Sequence, residues 1–224
     1  MTCSISATRS SLEGLHVGTS GWSYPSWRPG FYPADSDPAD FLAFYATRLA
    51  TVELNSTGYR LPSAEQFRRW AALVPTGFTF AVKAPPHALR RLDTLQESVL
   101  ALGNRLGCVR LVVETPRDDG LVELLLGSTD PALRWALDLR DPSWAGIEAR
   151  LRADGAVRVD DLETPSSWRY VRFRDPPYDD DRLQRAAASI RECLRRDEVV
   201  FAFFRHEHQP SAPAYAARLI ELLA

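Results

Sequence analysis

Eight short runs rich in β-branched and aromatic residues, separated for the most part by stretches with helical spacing, restrict the fold of this chain more than any other feature. The runs fall at 16–20, 51–55, 78–83, 108–114, 134–140, 156–160, 168–174 and 199–204. Between them the apolar periodicity predicts helices at 38–49, 64–73, 94–106, 121–126, 142–153 and 181–195, and a last helix at 212–223 closes the chain. Strand–helix alternation makes neighbouring strands parallel, because a crossover must return the chain to the same end of the sheet. Eight such units without a break in composition predict one closed TIM-like (β/α)8 barrel, an α/β fold, over residues 13–224. The connection at 161–167 is too short for a helix, so the barrel is expected to be trimmed by its sixth helix. An open doubly wound sheet is the competing architecture. No GxGxxG follows the first run, so a dinucleotide site has no support.

Composition narrows the function classes. The 224 residues, 45% hydrophobic and 25% charged, suffice for one substantial core. Lys plus Arg number 27 against 29 Asp plus Glu, and doubled arginines are scattered, so no basic stripe points to long nucleic acid. Cys3, Cys108 and Cys193 lie far apart and outside any CxxC spacing, which fits a reducing compartment without structural zinc. Residues 1–12 read as a loose polar tail without an apolar signal segment, and no run approaches the roughly 18 apolar residues of a membrane span. A cytoplasmic location away from membranes is the expectation.

Four blocks carry a family resemblance: VGTSGWSYPSWRPGFYP at 17–33, TVELNSTGYRLPSAEQFRRWAALVPTGFTFAVKAP at 51–85, DLRDPSW at 138–144 and YVRFR at 170–174. Their order and spacing resemble the YecE-like family, domain of unknown function 72. The resemblance implies a TIM barrel and supplies no reaction. This chain departs from the family pattern at strand ends. Gly58 stands where similar proteins usually have phenylalanine, Asp141-Pro142 follows Arg140 where they have His-x, and Arg205-His206 follows Phe204 where they have Asn-Asn. The PPHALRR and VVETP segments also depart from the usual Thr-His and from the Gln with paired prolines. Such exchanges imply a different ligand or a decayed site.

Side-chain alternation identifies candidate residues. Thr51, Glu53 and Asn55 share one strand face while Val52 and Leu54 take the other. On the same parity the inward strand ends offer Lys83, Asp138, Arg140, Asp160, Arg172 and Arg174, at the barrel end where ligands bind. Glu53 is therefore expected to meet a cation across the barrel, since an unpaired buried carboxylate would not stay charged. Lys83 is the chain's single lysine, and a lysine can act as base, Schiff-base amine or phosphate contact. Glu53, Lys83 and Asp138 are the acid–base candidates, with Arg140 and Arg172 as anion holders. Thr19, Ser20 and Trp22 of the first loop, with Asn55, Tyr59, Arg60 and Asp160, complete the ligand-binding candidates. Trp27 reads as a cap over the barrel end. A purely structural salt-bridge network is the alternative for the charged set.

No cofactor motif is present. A divalent metal is the one cofactor the residue types would admit, with His206 and His208 of FRHEHQP as candidate ligands and solvated loop residues as the alternative. The acidic 179–181 segment reads as a helix N-terminal turn. The expected activity is an enzyme acting on a small polar, anionic or sugar- or phosphate-containing ligand at the C-terminal barrel face. A non-catalytic binding barrel and a metal-dependent phosphodiester hydrolase acting on nucleic acid are the alternatives.

Overall fold

The computed structural model describes residues 13–58 and 60–224. The tail expected over 1–12 and the candidate Tyr59 lie outside the described residues. Eight parallel strands form one sheet: β1 Leu15–Ser20, β2 Thr51–Leu54, β3 Thr79–Ala84, β4 Leu106–Val113, β5 Trp135–Leu139, β6 Val157–Arg158, β7 Trp168–Phe173 and β8 Val199–Phe204. Their hydrogen-bonded order, β6-β5-β4-β3-β2-β1-β8-β7, wraps the sheet into a nearly closed TIM-like (β/α)8 barrel. Among the described residues seven α-helices cover it: α1 Phe41–Arg48, α2 Ala64–Ala72, α3 Leu92–Leu100, α4 Asp119–Ser128, α5 Glu148–Ala153, α6 Asp180–Arg195 and α7 Ser211–Leu223. Ser63, Asp118 and Asp179 cap α2, α4 and α6 by accepting backbone N–H groups, and Asp180 and Asp181 occupy the first turn of α6 where the helix dipole favours them.

Barrel filling follows the size of the inward residues. Small residues on β3, β4 and β5 (Ala81, Cys108, Ala136) face the large rings of Trp168, Tyr170, Phe201 and Phe203 on β7 and β8, forming one interior cluster. Gly18 is required where β1 meets β2, because a Cβ there would lie 2.1 Å from the Thr51 carbonyl oxygen. Such a contact cannot exist without separating the strands.

The 161–167 connection contains no helix. A buried ion pair occupies this sector: Arg169 Nε donates to Glu198 at 2.7 Å, and Arg169 Nη1 donates to the Asp161 carbonyl at 3.0 Å. Glu198 also accepts the Ser166 N–H at 3.2 Å and Arg196 Nε at 3.1 Å. The polar connection is thus held by charge-assisted hydrogen bonds in place of an apolar helix face.

Strand six is shorter than its apolar pattern suggests. It ends at Arg158, and Asp160, expected as an inward strand end, adopts a left-handed φ of 68°. Aspartate tolerates that conformation better than most residues. Its N–H donates to the Tyr170 carbonyl at 2.9 Å and its carboxylate accepts the Arg172 N–H at 2.7 Å. Asp160 therefore stitches β6 to β7, which share no regular ladder.

Candidate functional site

At the C-terminal ends of the strands, charged side chains meet above the aromatic interior. Glu53 on β2 is fully buried, and its two oxygens are shared among three donors. Arg110 Nη1 bonds Oε1 at 2.7 Å, the Tyr170 hydroxyl bonds the same oxygen at 2.9 Å, and Arg172 pairs with Oε2. Asp138 on β5 receives Arg110 through Nε at 3.0 Å and through Nη2, Arg140 Nε at 2.8 Å and Arg174 Nη2 at 3.0 Å. Arg174 continues to Asp160. The predicted Glu53, Asp138, Arg140, Asp160 and Arg172 are thereby joined in one chain of ion pairs.

Arg110 lies at its centre, and sequence reasoning does not single it out. The signal exists, since Arg110 is the lone charge in the apolar run CVRLVV and shares the inward parity of Cys108. Buried in a strand otherwise made for a core, it needs carboxylate partners on both sides.

Burial alone would raise the Glu53 carboxyl. Arg172 and Arg110 overrule it and hold the pKa at about 2. Burial likewise opposes ionisation of Asp138, and Arg110 again lowers its pKa below the ordinary value. Lys83 is level with Arg110 in the β3–β4 register and half-buried. Burial, then the Arg110 charge, pull its pKa below that of a free lysine, with Glu53 opposing. The result is an amine that releases its proton more readily than usual.

Other candidates separate by direction. Thr19 turns away from the mouth into the helix layer, where its hydroxyl bonds the Gly21 carbonyl at 2.7 Å and the Tyr45 hydroxyl at 2.9 Å. Ser20 faces inward and is buried, its Oγ without a hydrogen-bond partner. Trp22 and Asn55 are half-buried beside the first loop. Arg60 is exposed on a rim pocket with His87, Arg90 and Arg91. Trp27 is fully buried and donates its indole N–H to the Glu207 carbonyl at 3.1 Å, tying the first loop to the last.

His206 stacks on Tyr24 with ring centroids 4.5 Å apart, and burial together with Arg205 and Arg172 lowers its pKa. His208 lines an open cleft with His206, Arg174 and Arg205. Among the described residues no three His, Cys, Asp or Glu side chains gather closely enough to hold a metal ion. No helix among them is long and apolar enough to cross a membrane.

Fold and site together define a TIM-barrel protein with an arginine-rich, carboxylate-anchored mouth at the C-terminal face. The family model described as "Protein of unknown function DUF72" matches residues 16–224, and the chain belongs to that family. A DUF72 family protein from Enterococcus faecalis V583 has the same fold in two crystal structures. The 3.10 Å structure superposes with a TM-score of 0.77 at 15% identity, covering 93% of this chain and 95% of that one. The 2.52 Å structure gives 0.70 at 13% identity, covering 93% and 97%. No curated protein sequence matches this chain.

Proposed function

We propose that the barrel mouth binds a small ligand bearing an anionic group, of the sugar-phosphate type, and that the protein is an enzyme acting on it. The observation that carries this reading is a surplus of positive charge. Against Glu53, Asp138 and Asp160 stand Arg110, Arg140, Arg172 and Arg174, and Lys83 brings the cations of this cluster to five, two more than the carboxylates. Surplus cationic charge in a half-closed site favours an anion more strongly than the same charges would in open water. Buried polar atoms without a partner, two of them guanidinium donors, support the same reading. Of five buried side-chain polar atoms without a partner among the described residues, four stand at this end: Ser20 Oγ, Arg172 Nε, Arg174 Nε and His206 Nδ1.

The roles divide by chemistry. Glu53, ionised and saturated with donors, is a poor base and serves to hold Arg110 and Arg172 in place. Asp138 does the same for Arg110, Arg140 and Arg174. Lys83, with its lowered pKa, is the proton-transfer or nucleophilic group, and Arg140 and Arg172 hold the anion. The test is a thermal melt of the wild type with inorganic phosphate, glucose 6-phosphate, AMP and MgCl2, followed by a turnover assay on whichever compound binds. A ligand at a hundred times its dissociation constant should add about 2.7 kcal/mol of stability. Absence of a shift with every anion overturns the reading; a shift without turnover makes the barrel a binding module.

A further inference from the structure

The six tryptophans divide into two groups by how their indole N–H is used. Trp27, Trp135, Trp144 and Trp168 are buried, and each donates to a protein acceptor at 2.9–3.1 Å. Trp22 and Trp70 are half-buried and donate to none of the described residues. These two line one pocket of about 510 Å³ beside the mouth. They meet edge to face, with centroids 5.3 Å apart and planes at 85°, so the two indoles form adjoining walls at right angles. Asn55 lines the same pocket, half-buried, and its side-chain amide makes no hydrogen bond to the described residues. Tyr24 is the wall shared with the mouth: its ring lines the pocket, stacks on His206 at 4.5 Å and donates its hydroxyl to the Ser20 carbonyl at 2.8 Å.

We infer that the Trp22–Trp70–Asn55 pocket is the subsite for a sugar ring, placed so that an anionic substituent of the same molecule reaches the arginine-rich mouth across Tyr24. The assignment of the anionic end rests on the ligand reading above; the ring subsite stands on the pocket itself. The indole N–H groups of Trp22 and Trp70 and the Asn55 amide are open to water, which the hydroxyls of a ligand can displace. All three residues line one pocket whose walls include the two indoles. A pyranose matches both features, with its C–H face against an indole and its hydroxyls toward the amide and the N–H groups. A purine or pyrimidine sandwiched between rings would call for parallel walls, which an 85° pair does not provide.

The experiment is a titration of intrinsic tryptophan fluorescence with the methyl glycosides of glucose, mannose and galactose, with glucose 6-phosphate, and with adenosine. At least one methyl glycoside should change the emission saturably, and Trp22→Phe and Asn55→Ala should each weaken that binding by about tenfold while leaving the melting curve near wild type. Inorganic phosphate should compete with glucose 6-phosphate and not with the methyl glycoside. If phosphate binds and no sugar does, the ring subsite is wrong while the anion site stands. If a glycoside binds and phosphate does not, the subsite stands and the anion reading fails. Adenosine binding through Trp22 and Asn55 in place of any sugar overturns the assignment of ring type.

Discussion

Arg110 on β4 bonds Glu53 on β2 at 2.7 Å across the intervening strand β3. One guanidinium thereby serves Glu53 and Asp138, carboxylates on two strands that are not neighbours, and the mouth is a connected unit of charges.

Arg110→Met should destabilise the protein by roughly 3–5 kcal/mol, because it leaves two buried carboxylates short of a partner. Lys83→Met should cost about 1 kcal/mol or less, since Glu53 keeps Arg110, Arg172 and Tyr170. Urea denaturation of both variants measures the difference. Equal losses would mean that Lys83 supports the buried carboxylates as much as Arg110 does.

Lys83→Arg should preserve the fold and abolish turnover of any substrate found, because a guanidinium neither fits the amine's place nor deprotonates. Full activity in that variant, measured beside its melting curve, removes Lys83 from proton transfer.

Stability should fall with acid in two stages. His16 is half-buried and stacked on Phe201, and partial desolvation, with Arg134, lowers its pKa from 6.5 to about 4. The unfolded chain then takes up a proton below 6.5 that the folded chain refuses, so stability declines between 6.5 and about 4, by roughly 3 kcal/mol at most. Glu53 is depressed from 4.5 to about 2, so its contribution is whole above 4.5 and is lost as pH falls from there toward about 2. Melting temperatures against pH should show both stages in the wild type, and His16→Gln should flatten the first alone. A wild-type profile level from 6.5 to 4.5 contradicts a neutral His16 in the folded protein.

Arg169→Met or Glu198→Ala should each cost roughly 3–5 kcal/mol by stranding one buried charge where the sixth helix is absent. The double variant Arg169→Met/Glu198→Leu should recover most of that loss. Additive losses in the double-mutant cycle would show that the pair is not coupled.

Much of this molecule can be read along the chain. The strand positions, the seven helices and the missing sixth helix follow from apolar periods and the length of each connection, which are local properties. Glu53, Asp138, Arg140 and Arg172 also follow, because alternation along a strand settles which face each residue takes. Thr19 does not follow as a ligand contact: it shares strand β1 with Ser20, and alternation sends the two to opposite faces, Thr19 toward Tyr45 in the helix layer.

Local patterning along the chain dictates eight parallel strands and the charges each carries inward. Which of those charges meet depends on how the barrel closes. Periodicity ranks side chains by face and leaves open the height at which strands line up, which the shear of the closed sheet sets. That height brings Arg110 between Glu53 and Asp138, puts Lys83 beside it, and turns Asp160 from a strand end into the clasp between β6 and β7. The same closure brings Trp22 against Trp70, from a loop and a helix whose separate sequences contain no sign of a shared pocket.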